Sequence, residues 1–215
     1  MTISEQQALS DAGIARALEP FGVPTSSALA GQIRAYIELL LRWNQKISLT
    51  SIARPEAILQ RHFGESMFAA QAVPMVRGRL IDVGAGAGFP GLALKLASPE
   101  LEVMLVEANQ KKAAFLGEVV RTLELKGARV LAQRIEELQG ANYAAEFVSC
   151  RAVRTDKKLI AFAGNALASG GSMVFWVGTK EAEAIREQGG WVWRKPVPIP
   201  LSTNRLILVG RKDQP

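Results

Sequence analysis

A run of glycines, two acids and one arginine are the residues of this chain best placed to do chemistry. Asp82-Val83-Gly84-Ala85-Gly86-Ala87-Gly88-Phe89-Pro90-Gly91 continues a short apolar run from Leu80, and a helical pattern starts at Leu92. Strand, glycine turn and helix together let a backbone approach a nucleotide-like ligand closely, because a Cβ at those positions would stand in the way. Glu107 ends the next apolar run, 102–106, and follows Gly86 by 21 residues. An acid there can accept both hydroxyls of a ribose. Arg151 ends a further apolar run, 146–150. In a doubly wound sheet, ligand contacts fall beyond the carboxyl ends of strands.

The glycines at 86, 88 and 91 match the dinucleotide pattern GxGxxG, which alone is weak evidence for a dinucleotide. Three features point away from one. Asp82, at the end of its strand, repels a pyrophosphate but attracts an ammonium, directly or through water. Pro90 has no N–H to offer a phosphate. Glu107 suits an adenosine, which NAD and S-adenosylmethionine share. A ligand with an ammonium and a sulfonium but no phosphate fits this acidic turn, so the expected cofactor is S-adenosylmethionine. An NAD(P)-dependent oxidoreductase is the rival enzyme on the same turn. Asp82, Gly84, Gly86 and Glu107 are the expected cofactor contacts, and Ile135-Glu136, after the third strand, is placed to meet the adenine edge. Arg151 belongs where the transferred methyl group points.

The chain has one cysteine and one histidine, which excludes an internal disulfide, a cysteine-cluster metal site and His-rich metal sites. No metal is expected. Cys150 invites comparison with the thiol nucleophile of cytosine C5 methylation, but a cysteine at a strand end reads better as a small buried hydrophobe. His62 reads as a helix-packing residue.

The elements that must position these residues fall into two sets. Residues 1–75 are expected to form a helical extension, with helices over 5–18, from Ser26 or Ser27 to about 47, and from Pro55 to about 70. Residues 76–215 are expected to form a Rossmann-like α/β domain. Strands are predicted at 79–83, 102–106, 129–132, 146–150 and 172–177, with helices at 91–97, 110–125, 156–168 and 180–188. Alternating βα units give a mostly parallel sheet. Two last strands, about 191–197 and 204–210, have no helix between them and should form an antiparallel edge.

Charge is unevenly spread. Net charge is −2 over residues 1–25, +4 over 26–79, −2 over 80–150 and +6 over 151–215. Basic flanks around a mildly acidic ligand segment suggest a polyanionic partner, most simply nucleic acid. Arg154, Lys157 and Lys158 are the first candidates to contact it, with Lys111 and Lys112 next; a solvated helix face is the plain alternative for the lysines. No apolar run approaches the ~18 residues of a membrane span, and the first residues lack a signal-peptide build. A cytoplasmic monomer with no membrane contact is expected.

Several motifs in order also resemble the bacterial RsmG (GidB) family over about residues 36–212. They are Leu39-Leu40-x-x-Trp43-Asn44-x-x-Ile47-Ser48-Leu49-Thr50, His62-Phe63-Gly64-Glu65-Ser66, the Asp82–Gly91 loop with its Gly-Phe-Pro-Gly ending, Glu107 with Lys111-Lys112-x-x-Phe115-Leu116, Arg134-x-Glu136, and Arg151-Ala152. The resemblance implies a Rossmann-like S-adenosylmethionine-dependent methyltransferase acting on guanine N7 of 16S rRNA in the small ribosomal subunit. It implies cofactor contacts at Gly84, Phe89, Glu107, Ala108, Asn109, Ile135, Glu136 and Arg151. Guanine N7 carries a lone pair and no proton, so the reaction needs no general base. Arg151 is then a substrate-positioning residue, and no obligate acid or base is expected. The chain departs from the family pattern at Glu65, where Asp is usual, at Val177-Gly178, where Lys-Gly is common, and at Cys150, where Ser is frequent. A non-enzymatic RNA-binding protein and a small-molecule methyltransferase are the other readings.

Overall fold

The computed structural model describes residues 3–138, 143–151 and 157–212. Helices come first: α1 (Ile3–Ala8), α2 (Asp11–Leu18), α3 (Ser27–Asn44), α4 (Pro55–Ile58), α5 (Glu65–Met67) and α6 (Ala69–Ala72). The expected helix over 5–18 is broken at Ser10, whose side chain accepts from the Gly13 N–H and starts α2. Ser26 does the same for α3 through the Leu29 N–H. The helix expected from Pro55 is wider in its middle, where Leu59–Gly64 is a π-helical stretch joining α4 to α5.

Eight strands and four helices follow: β1 (Gly78–Val83), α7 (Gly91–Ala97), β2 (Leu101–Val106), α8 (Gln110–Thr122), β3 (Ala128–Leu131), β4 (Ala145–Arg151), α9 (Lys157–Ala166), β5 (Leu167–Gly178), α10 (Thr179–Arg186), β6 (Trp191–Trp193), β7 (Val197–Pro198) and β8 (Arg205–Lys212). The sheet order is β3-β2-β1-β4-β5-β8-β6, with β7 also on β8. The first five strands run parallel, and β8 runs antiparallel to β5, β6 and β7. The antiparallel edge is therefore present, but β8 lies inside it, between β5 and β6. Arg194, Lys195 and Pro196 divide the single strand expected over 191–197 into two.

Each central strand is buried on both faces, and alternate residues enter two apolar layers. Leu80, Val103, Leu105, Val174, Trp176, Ile207 and Val209 join the layer with α3, α7 and α8. Ile81, Val83, Met104, Val106, Met173, Phe175 and Leu208 join the layer with α9 and α10. The first layer also contains Ile14, Phe21, Ile33, Tyr36, Ile37 and Phe63, so the N-terminal helices share its core. The strand order reverses at β1, which has β2 on one side and β4 on the other. In doubly wound sheets the crevice that takes a ligand lies at such a switch point, here beyond the carboxyl ends of β1 and β4.

Candidate active site

The glycine turn lies at the mouth of this crevice. The Val106 carbonyl accepts from the N–H groups of Gly84, at 2.8 Å, and Ala85, at 3.0 Å. Gly84, Gly86 and Gly88 have φ of 68°, 56° and 87°, a region that side chains other than glycine rarely adopt. At Gly88 space is also decisive, because a Cβ would land on the Tyr36 hydroxyl. Tyr36, from α3, is fully buried and donates to the Ala87 carbonyl at 2.6 Å. The helical layer thus pins the loop that the sheet presents.

Asp82 sits beneath the loop, fully buried. It is the register partner of Ser149 across β1 and β4. One carboxylate oxygen accepts from the Ser149 hydroxyl at 2.7 Å and the other from the Gly91 N–H at 2.9 Å. Both oxygens therefore fasten the site, and the first N–H of α7 is already closed by an acid. Burial pushes the Asp82 carboxyl up to about 7, against the pull of its two hydrogen bonds and of Arg151. A carboxyl whose folded pKa exceeds its unfolded value binds its proton more tightly in the fold. Its contribution to stability is present below about pH 4 and is lost as pH rises through about 7. The thermal midpoint of Asp82→Asn should consequently fall less than that of the wild type between pH 5 and pH 8; parallel curves would contradict this.

Glu107 is buried at the end of β2. It accepts from the Gly86 N–H and the Asn109 N–H, each at 2.8 Å, and so ties the glycine turn to the start of α8. The Asn109 side chain accepts from the N–H groups of Lys111 and Lys112 and caps that helix, while the Lys111 and Lys112 side chains are exposed or partly exposed. Ala108 is exposed at the same edge. Beyond β3, a short helical turn, Ile135–Leu138, leaves Ile135 half-buried and Glu136 exposed. The Lys158 ammonium lies 3.2 Å from the Glu136 carboxylate. A cavity of about 370 Å³ is lined by Ile135, Glu136, Lys157, Lys158 and Phe162, among others.

Phe89 turns the other way. Its ring is stacked between His62, at 4.7 Å, and Tyr36, at 5.3 Å, with Phe63 edge-on at 5.0 Å. The ring belongs to the helical layer and points away from the turn's cofactor-facing positions expected from sequence. The ring nitrogen Nε2 of His62 lies 2.8 Å from the Thr50 hydroxyl, whose oxygen also accepts from the Ile52 N–H. The imidazole tautomer sets which of the two groups donates. Burial, reinforced by the positive charges of Arg151 and Arg61, lowers the His62 pKa from 6.5 to about 3. The ring proton signal of this single histidine should not titrate between pH 5 and 8 in NMR spectra; a midpoint near 6.5 would show a solvated ring.

Arg151 ends β4 and is drawn into a cluster around Glu65, whose side chain is 2% exposed. Arg151 donates to the Glu65 carboxylate at 2.9 Å, to the Ser66 hydroxyl at 3.2 Å and to the Arg61 carbonyl at 2.7 Å. Arg205 lies against the same carboxylate, with its closest contact at 2.6 Å, and Arg61 approaches at 3.3 Å. The Trp176 indole donates to the Glu65 carbonyl. One carboxylate thus faces three guanidinium groups and leaves a positive excess. Burial lowers the Arg151 pKa, while Glu65 opposes that shift.

The turn residues, Glu107, Asn109 and Arg151 therefore share the edge formed by the carboxyl ends of β1, β2 and β4. Arg154 and Ala152 lie outside the described residues. Lys157 and Lys158 are exposed on α9, and Cys150 is 2% exposed, as a small buried hydrophobe would be. No group of three or more acids, histidines or cysteines among the described residues could hold a metal. No described helix is long and apolar enough to cross a membrane. Sequence reasoning assigned no role to Tyr36, Ser149, Glu65 or Arg205. The Glu65 signal was its place in the His62–Ser66 motif. The Arg205 signal was an arginine opening the apolar run Leu206 to Val209.

The family model described as rRNA small subunit methyltransferase G matches residues 30–192. The ribosomal RNA small subunit methyltransferase G of Chloroflexus aggregans is 37% identical over 207 residues, covering 91% of this chain and 87% of its own length. The protein of the same name from Xanthomonas oryzae pv. oryzae is 36% identical, covering 94% of each chain. Among solved structures, a SAM-dependent methyltransferase from Aquifex aeolicus superposes with a TM-score of 0.61 at 14% identity, over 73% of this chain and 93% of that one. The YcgJ protein from Bacillus subtilis superposes with a TM-score of 0.58 at 12% identity, over 72% of this chain and all of that one. At these identities the two structures speak for the fold alone.

Proposed function

The chain belongs to the rRNA small subunit methyltransferase G family, and on that footing we propose that it methylates guanine N7 in 16S rRNA of the small ribosomal subunit. S-adenosylmethionine is the methyl donor and supplies an electrophilic methyl group on a sulfonium. The observation that carries this choice of donor is the closure of α7. Asp82 already occupies the Gly91 N–H, and Pro90 has none, so a pyrophosphate would meet an acid where it needs donors.

The chain's own residues divide the remaining work. Gly84 and Gly86 give the donor close backbone approach, with Phe89 contributing backbone only. Each Glu107 oxygen accepts one protein hydrogen bond, which leaves lone pairs for the ribose hydroxyls. Ala108 and Asn109 border that ribose, and Ile135 with Glu136 takes the adenine edge. Asp82 acts from beneath the turn, through its hydrogen bonds and its field. Arg151, held by Glu65 and Ser66, orients the guanine at the switch point. Since N7 has a free lone pair, no side chain has to remove a proton. The guanine must be unstacked to reach the crevice. Arg154, Lys157 and Lys158 are proposed RNA contacts, with Lys111 and Lys112 beside them. Residues 1–75 act as a helical extension on a methyltransferase domain of residues 76–215, and the enzyme works as a cytoplasmic monomer.

The test is transfer of labelled methyl groups to small subunits that lack the modification. Wild type should label 16S rRNA. Arg151→Ala should keep the fold but lose most of the transfer. Wild-type turnover in that variant would leave Arg151 as a structural partner of Glu65 with no part in transfer.

A further inference from the structure

The C-terminal end of α3 and the flank of α8 enclose a cavity of about 540 Å³ that the methyl-transfer site does not use. It is lined by Arg42, Trp43, Lys46, Ile47, Lys111, Ala114 and Glu118. Its one acid is already engaged. Glu118 accepts from Arg42 at 2.6 Å and from the Trp43 indole N–H at 2.9 Å. Trp43 is further set by Phe115, edge-on at 5.8 Å. The indole is thus held in place before any ligand arrives. Lys46 and Lys111 are exposed, and among the described residues neither has an ion-pair partner. Lys111 lies in the first turn of α8, two residues after Asn109, so the groove opens on the edge of the sheet that bears the donor site.

The Trp43 indole, the apolar Ile47 and Ala114, and the two uncompensated ammonium groups of Lys46 and Lys111 form a mixed surface. A base ring can lie on the aromatic and apolar part, while a phosphate takes the lysines. A purely acidic peptide would use the lysines and leave the indole without a partner. We propose that this groove between α3 and α8 seats an unpaired nucleotide of the substrate RNA, away from the methylated guanine, with its base on Trp43 and its phosphate on Lys46 and Lys111. The inference rests on the reading of the chain as an rRNA methyltransferase, and it adds a second anchoring point for the same RNA.

The experiment compares wild type with the variant Lys46→Gln, at the groove lysine outside the RNA contacts already proposed, on unmodified small subunits. KM for the subunit should rise about 5- to 10-fold, while kcat and donor affinity hold. Loss of that phosphate contact should make the slope of log Kd against log salt shallower by about 0.7 to 0.9. Ultraviolet cross-linking of bound subunits should place RNA adducts on residues 42–47 or Lys111. Unchanged KM and slope in an active enzyme would overturn the groove alone, as would cross-links from it to a ribosomal protein. A wild-type enzyme that labels no subunit RNA would overturn the functional reading, and the groove's role with it.

Discussion

Glu65→Gln should lower the stability of the fold by about 3–5 kcal/mol and abolish most methyl transfer. Glu65 is the carboxylate on which Arg151, Arg205 and Arg61 converge, and its side chain is 2% exposed. A glutamine keeps the shape and one acceptor oxygen but removes the charge. Three guanidinium groups would then face one another with nothing to offset them. Breaking a buried ion pair by removing one partner costs on the order of 3–5 kcal/mol, mostly because the other charge stays buried. For a domain of this size that is a drop of about 10 °C in thermal midpoint. Calorimetric melts check the stability, and labelled transfer checks the activity. Glu65→Asp, which restores the charge on a shorter stem, should recover much of the lost stability. A Glu65→Gln midpoint within about 2 °C of wild type would mean that the three arginines are individually solvated.

Glu107→Ala should weaken donor binding by about 10- to 100-fold, the net worth of about one hydrogen bond to a charged acceptor. The effect has two parts. The ribose hydroxyls lose their acceptor, and the N–H groups of Gly86 and Asn109 lose the carboxylate that joins the glycine turn to α8. Titration calorimetry with S-adenosylmethionine reads the loss directly. Glu107→Gln retains one acceptor oxygen and should fall between the alanine variant and wild type. Unchanged affinity in Glu107→Ala would remove Glu107 from the cofactor site.

The parts of the site that the sequence made legible are local ones. The glycine turn, Glu107 and Arg151 each sit at the end of a short apolar strand, and strand ends can be placed from a single stretch of chain. The alternating βα order likewise implied a parallel sheet. Long-range partners could not be read in this way. Glu65 and Arg205 are 140 residues apart, and they meet because β8 inserts between β5 and β6 and brings its first residue to the carboxyl end of β5. The sequence reading paired the last two strands with each other and had no reason to bring Arg205 to that edge.

Side-chain direction was also hidden. Phe89 belongs to the turn, but its ring is drawn into the aromatic layer by His62, Tyr36 and Phe63, because burial there removes more apolar surface from water than an open crevice could. The sequence places Asp82 as an acid for an ammonium. Its two hydrogen bonds instead fasten the turn and leave its field to act on a ligand. The start of β5 differs for a further reason. The strand expected from residue 172 begins its pairing earlier, at Leu167 with Ala145, and a register irregularity absorbs Gly170 and Gly171 within it.

One measurement bears most directly on the central claim. Small subunits that lack the modification are incubated with the enzyme and labelled S-adenosylmethionine, and the methylated position is mapped by chemical cleavage at 7-methylguanosine. The expected result is label in 16S rRNA at a single guanine, carried on N7. Label on another atom, or in no RNA at all, would contradict it.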